Sequence, residues 1–222
     1  MRFLKGAIFD LDGVIVDTVP LHFKAWKKMF AEYGIEFAFE DYKEKVDGIP
    51  RINGARAILK NLDEGELKKA AVKKQRYFLE FLEKEGIKVH ESTLNLIKEL
   101  KKNNIKVAVI SSSKNCLPIL KGAEIEHLFE VIITGNDIKK GKPDPEVFLL
   151  ACQNLKLSPP QCIVFEDAVL GVEAAKRGNF KCIGIDRYNN PARLSKADLV
   201  VKDLSEINLE TLEEILIPNE TK

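Results

Sequence analysis

Gly6-Ala7-Ile8-Phe9-Asp10-Leu11-Asp12-Gly13-Val14-Ile15-Val16-Asp17-Thr18 is the stretch on which the reading of this chain turns. Its apolar opening, Gly6 to Phe9, predicts a short buried strand. That strand delivers two carboxylates, Asp10 and Asp12, to its carboxyl end. Side chains two apart in an extended segment point the same way, so both acids face one small volume. Two like charges that close repel unless a cation joins them or one takes up a proton. Gly13 lets the backbone turn tightly and approach a ligand. The set suits a carboxylate nucleophile, a carboxyl proton donor and a hard metal ion. Aspartates also populate ordinary turns, so the stretch alone leaves a plain Asp-rich strand cap open.

The chain has 222 residues, enough for one substantial core, or for a core domain carrying a smaller second one. Its 45% hydrophobic and 31% charged content is that of an ordinary soluble globular protein. A formal net charge of +1 gives no electrostatic case for nucleic acid or an anionic membrane as partner. The lysines at 68, 69, 73 and 74 are interspersed with acids and read as a solvated helix face. Cys116, Cys152, Cys162 and Cys182 form no C-x-x-C pair and read as small core residues rather than a disulfide frame or zinc site. The opening Met-Arg-Phe-Leu-Lys-Gly moves straight into a strand without a secretory signal, and no apolar stretch reaches membrane-spanning length. A cytoplasmic location is therefore expected.

Beyond the opening strand, Leu21, Phe23, Trp26, Met29, Phe30 and Tyr33 recur at helical spacing up to Gly34. Further helical stretches cover roughly 51–62 and 64–85, and Gly86 closes the second. No convincing strand appears between Val16 and Ile87, an interval far too long for one strand-helix-strand crossover. A helical subdomain inserted at about residues 17–86, between 1–16 and 87–222, is the economical explanation. From there strands and helices alternate. Strands are expected at 105–110, 131–134, 162–165, 181–185 and 198–201, and helices at 93–102, 117–122, 168–177 and about 205–216. Another helix opens at Asp144-Pro145, read as cap and first-turn proline. Such alternation predicts an α/β fold with a parallel sheet covered by helices on both faces.

Ligands bind such sheets at the carboxyl ends of the strands, and four polar clusters fall there. Asp10 and Asp12 follow the first strand, and Ser111-Ser112-Ser113-Lys114-Asn115 follow Ile110. Lys140-Gly141-Lys142-Pro143-Asp144 come after the strand at 131–134, and Glu166-Asp167 after Phe165. Each has a plain alternative: an N-cap serine, a surface lysine before a turn, or acids at a helix start. Together they favour phosphoryl transfer. Serine and backbone amides hold phosphoryl oxygens, a lysine neutralises charge, and acids offer the hard oxygen ligands that magnesium prefers.

Phe9-Asp-Leu-Asp-Gly-Val, Ser111, Lys142-Pro143 and Glu166-Asp167 resemble the four motifs of the haloacid dehalogenase superfamily, in order and across nearly the whole chain. Leu21-His22-Phe23-Lys24-Ala25-Trp26 and Ser111-Ser-Ser-Lys-Asn115 are similar to the β-phosphoglucomutase-like branch. The resemblance implies a Rossmann-like doubly wound parallel sheet core with a small inserted α-helical cap domain, and an enzyme acting on a small phosphorylated metabolite as a monomer. It implies Asp10 as the nucleophile that becomes an aspartyl phosphate and Asp12 as general acid and base. Magnesium would be held by Asp10, the Asp12 carbonyl and Asp167, with Glu166 in or near the shell. Ser111, Lys142, Ser112 and Asn115 would hold phosphate oxygens, and Thr18 would sit at the hinge of a cap that closes over the substrate. From the cap, His22, Trp26, Gly48 and Arg51 would approach the substrate, with one of Lys73 or Lys74. Trp26 lies on an apolar face and reads equally as core; His22 lies off that stripe.

One position departs from the pattern. The mutase cap loop usually reads Lys-Gly-x-Ser-Arg, and here it is Asp47-Gly48-Ile49-Pro50-Arg51. An acid replaces a phosphate-binding lysine, and a similar loop occurs in relatives described as hydrolases. A phosphatase of small sugar phosphates is the expectation, β-phosphoglucomutase the alternative, and a non-catalytic phosphometabolite sensor a remoter one. Dehalogenase chemistry is disfavoured, because that branch lacks the second aspartate, present here as Asp12.

Overall fold

The computed structural model describes residues 3–47 and 49–217. The chain divides into two compact units, Met1–Val16 with Val89–Lys222, and Asp17–Lys88.

The first unit is built on β1 (Gly6–Asp10), β4 (Lys106–Ile110), β5 (Val131–Ile133), β6 (Cys162–Glu166), β7 (Lys181–Ile185) and β8 (Leu199–Val201). Two short strands, β2 (Val16–Asp17) and β3 (Lys88–Val89), form a separate two-stranded sheet. The main sheet runs in the order β5-β4-β1-β6-β7-β8, and its pairings are parallel. This is an α/β, Rossmann-like doubly wound sheet. A parallel strand covered on both faces reads as a continuous apolar run, and every residue of β1 is buried. Register sets Phe9 opposite Val109 on one side and Phe165 on the other, and the rings of Phe9 and Phe165 stack at 4.2 Å.

Side chains alternate between the two faces. Ile8, Ile110 and Val164 join one cluster with Val147, Phe148 and Ala151 of α7 (Glu146–Asn154) and Val172 and Ala175 of α8 (Val169–Arg177). Helix α5 (Glu91–Lys102) packs against β4 with Leu96, Ile97 and Leu100 buried, outside that cluster. Helices α6 (Cys116–Gly122) and α9 (Leu209–Leu216) complete the unit. Strand order reverses at β1: the chain moves outward through β4 and β5, then returns to β6 on the other side. That switch point is where open sheets of this kind hold ligands.

The second unit holds α1 (Val19–Ala31), α2 (Phe39–Lys45), α3 (Arg51–Ile58) and α4 (Glu64–Glu85). Leu21, Ala25, Trp26, Met29 and Phe30 of α1 are buried, as are Leu67, Ala70, Tyr77 and Phe78 of α4, its main packing partner. Asp63 caps α4 by accepting from the Glu66 amide at 2.9 Å, and Gly86 at φ +74° ends it. The stretch at 51–62 stops short at Ile58, because Asp63 needs an extended backbone to cap and residues 59–62 turn the chain to reach it. Helix α2 had no sequence signal; its seven residues are too few for a periodic stripe. In the first unit, Pro145 occupies the cap position rather than the first turn, and Asp144 accepts from the Glu146 amide at 3.0 Å. The last helix starts only at Leu209, where Asn208 caps it, after a 3-10 turn at Leu204–Glu206.

All four cysteines are buried and unbridged. Among the described residues no helix is long and apolar enough to cross a membrane. Because Phe9 is fully buried at the centre of the sheet, Phe9→Ala should cost about 3–5 kcal/mol of unfolding free energy, read from urea denaturation.

Candidate active site

The carboxyl ends of β1, β4 and β6 carry the polar groups that the sequence placed there. Asp10 ends β1 and Glu166 ends β6, both buried. Lys142, from the loop between β5 and α7, reaches back to them. Its Nζ lies 2.5 Å from Asp10 Oδ1 and also pairs with Glu166 Oε1; the lysine and Asp10 side chains are each 8% exposed, and Glu166 is fully enclosed. The other Glu166 oxygen accepts from the Ala168 amide at 2.8 Å, so both of its oxygens are engaged.

Burial pushes the Asp10 carboxyl up, Lys142 pulls it back, and Glu166 and Asp12 push it up again, leaving it at about 8. Burial works against the Lys142 ammonium, yet the two carboxylates outweigh it and hold the lysine above its usual value. The geometry favours the ion pair, with Lys142 Nζ set against both Asp10 Oδ1 and Glu166 Oε1.

The turn after β1 is shaped by Gly13 at φ +83°. A Cβ there would collide with the Asp167 carboxylate, which places that acid directly against the turn carrying Asp12. Ser111 Oγ donates to Asp12 Oδ2 at 3.1 Å and accepts from the Ser113 amide at 3.0 Å. Ser113 Oγ in turn accepts from the amide of Asn115, a buried residue at the cap of α6. Ser112 is exposed. The structure thus brings Asp10, Asp12, Ser111, Lys142, Glu166 and Asp167 together in the first unit, with Asn115 bracing the serine loop.

A magnesium ion fits this donor set. Asp10, Asp12, Glu166 and Asp167 bring four carboxyl groups against a single lysine. Among the described residues no three His, Cys, Asp or Glu side chains are grouped so that together they could hold a metal ion. Magnesium does not require such a group, because it keeps several waters and takes one or two carboxylates.

The second unit has its own polar centre. Lys74, almost fully buried, lies 2.7 Å from His22 Nδ1 and over the rings of Trp26 and Phe78 at 5.2 and 5.1 Å. His22 stacks on Phe78 at 4.2 Å. Lys73 instead points outward to Glu32, so Lys74 is the member of the pair that joins His22. Trp26 is buried and abuts Gly54. Arg51 is half-buried at the start of α3, Thr18 is buried at the cap of α1, and Asp47 accepts from Tyr42 Oη at 3.1 Å. Gly48 lies outside the described residues.

Residues 7–185 match the model of the haloacid dehalogenase-like hydrolases. The chain is 33% identical to a phosphorylated carbohydrates phosphatase of Thermotoga maritima, over 96% of this chain and all of that protein. It is 34% identical to the β-phosphoglucomutase of Bacillus subtilis, over 95% of each. The crystal structure of β-phosphoglucomutase from Clostridium difficile superposes with a TM-score of 0.86 at 31% identity, covering 96% of this chain and 97% of that one. The chain is an enzyme and belongs to the haloacid dehalogenase-like hydrolase family, in its β-phosphoglucomutase-like branch.

Proposed function

We propose that this enzyme is a phosphatase of small sugar phosphates working through a covalent phosphate on Asp10. The observation that carries this is the buried Asp10–Lys142–Glu166 array beside the Ser111–Asp12 hydrogen bond. Lys142 holds one Asp10 oxygen, leaving the other to attack phosphorus. As the bond from phosphorus to the sugar oxygen breaks, protonated Asp12 gives that oxygen its proton. Asp12, now a carboxylate, takes a proton from water, whose oxygen attacks phosphorus and releases inorganic phosphate and the Asp10 carboxylate. Ser111 and Lys142 hold phosphoryl oxygens in both steps. Magnesium, bound by Asp10, the Asp12 carbonyl and Asp167, would neutralise charge on the transferring group. Glu166, with both oxygens engaged, orients Lys142.

In this reading unit 1–16 with 89–222 is the catalytic core and 17–88 the cap, which selects the substrate through His22, Trp26, Arg51 and Lys74. The close relationship to a β-phosphoglucomutase keeps the mutase as second reading. Asp47 favours hydrolysis: an acid in place of a lysine repels the second phosphate of a bisphosphate intermediate.

A panel of sugar, polyol and nucleotide monophosphates tests substrate class; no turnover would favour a sensor. With β-glucose 1-phosphate, magnesium and a trace of the 1,6-bisphosphate, steady release of phosphate is expected. Formation of glucose 6-phosphate without free phosphate would assign the mutase. Asp10→Asn keeps the side-chain shape and should lower turnover by roughly 10³-fold or more, with the melting temperature nearly unchanged. Parent-like turnover would end this mechanism.

A further inference from the structure

The turn that carries Asp12 presents three successive carbonyls, and each receives a donor from a distant segment of the same unit. Arg187 Nε donates to Gly13 O at 2.7 Å, Thr93 Oγ1 to Val14 O at 2.7 Å, and the His90 amide to Ile15 O at 2.9 Å. The donors are tied together. Ser92, next to Thr93, donates to Asp203 Oδ2 at 2.8 Å. Burial opposes ionisation of Asp203, but hydrogen bonds from Ser205 and Ser92 and the Arg187 charge outweigh it and hold the carboxyl below its usual value. Arg187 is itself seated by a turn in which buried Asp186 accepts from the Tyr188 amide at 3.0 Å. Thr93 is completely buried.

We propose that Arg187, with Thr93, is a positioning residue for the proton-transfer step, clasping the Gly13–Val14 carbonyls so that the Asp12 carboxyl stays aligned. The geometry motivates the arginine. Gly13 follows Asp12 at φ +83°, a conformation that glycine adopts readily, and its carbonyl, one residue beyond Asp12, is the atom that Arg187 holds. Ser111, just beyond β4, fixes the Asp12 side chain, and Arg187, just beyond β7, holds the carbonyl of the residue that follows it. This rests on the reading of Asp12 as general acid given above.

The test compares kcat/KM on a sugar phosphate that the wild type hydrolyses with kcat/KM on acetyl phosphate, whose leaving acetate needs no proton. Asp12→Asn, Arg187→Gln and Thr93→Val are measured alongside the parent. Arg187→Gln should lose about 10- to 100-fold on the sugar phosphate, the scale of a small misplacement of a reacting group. On acetyl phosphate it should lose at most about three-fold, because general-acid help is not used there. Thr93→Val should shift in the same direction, and Arg187→Lys should recover part of the loss. Equal losses on both substrates, or none, would overturn the clasp. If Arg187→Gln does not fold, the near-isosteric Thr93→Val decides by the same comparison. Should Asp12→Asn itself show no dependence on the leaving group, the general-acid reading fails, which is a different result from a failure of Arg187 alone.

Discussion

A lysine buried between two carboxylates is the constraint on which the proposed chemistry depends. Taking an ammonium out of water costs several kcal/mol, and only close partners offset it. Here Asp10 and Glu166 are those partners, and they come from neighbouring strands, β1 and β6, at the same end of the sheet. Removing the lysine would leave two buried acids facing each other, whereas removing either acid leaves a neutral pair. The array therefore ties the central strand pair, the loop after β5 and the reactive carboxylate into one electrostatic unit. Strand order makes this possible, since β1 is flanked by β4 and β6 and all three end on the same edge.

In the proposed reading, chemistry and recognition divide along the chain. The first unit carries the carboxylates, the lysine and the serine loop, all on or just beyond strand ends. The second unit packs four helices around aromatic side chains and encloses a second lysine, Lys74, which meets His22 and lies over two rings.

Much of this was legible in the chain itself. The apolar run before Asp10 marked a strand buried on both faces, and polar clusters after Ile110 and Phe165 marked further strand ends. Period and capping residues found α1 and α4. Short elements were not legible: α2 is too brief for a stripe, and α3 ends where Asp63 demands an extended backbone rather than where apolar residues stop. Lys73 and Lys74 are adjacent and chemically identical, so only the phase of α4 tells which faces inward. Arg187 and Thr93 gave no sign, because their partners are backbone carbonyls, and a carbonyl looks the same at every position of a sequence.

Lys142 arrives from beyond β5, a strand of three residues at the margin of the sheet, while the two acids it joins stand on interior strands. Marginal strands fray before central ones. Opening of β5 would carry the ammonium away and leave Asp10 and Glu166 facing each other across a dry gap. Under the proposed mechanism the scaffold would survive with the catalyst disarmed, and activity would be lost below the temperature at which the core melts.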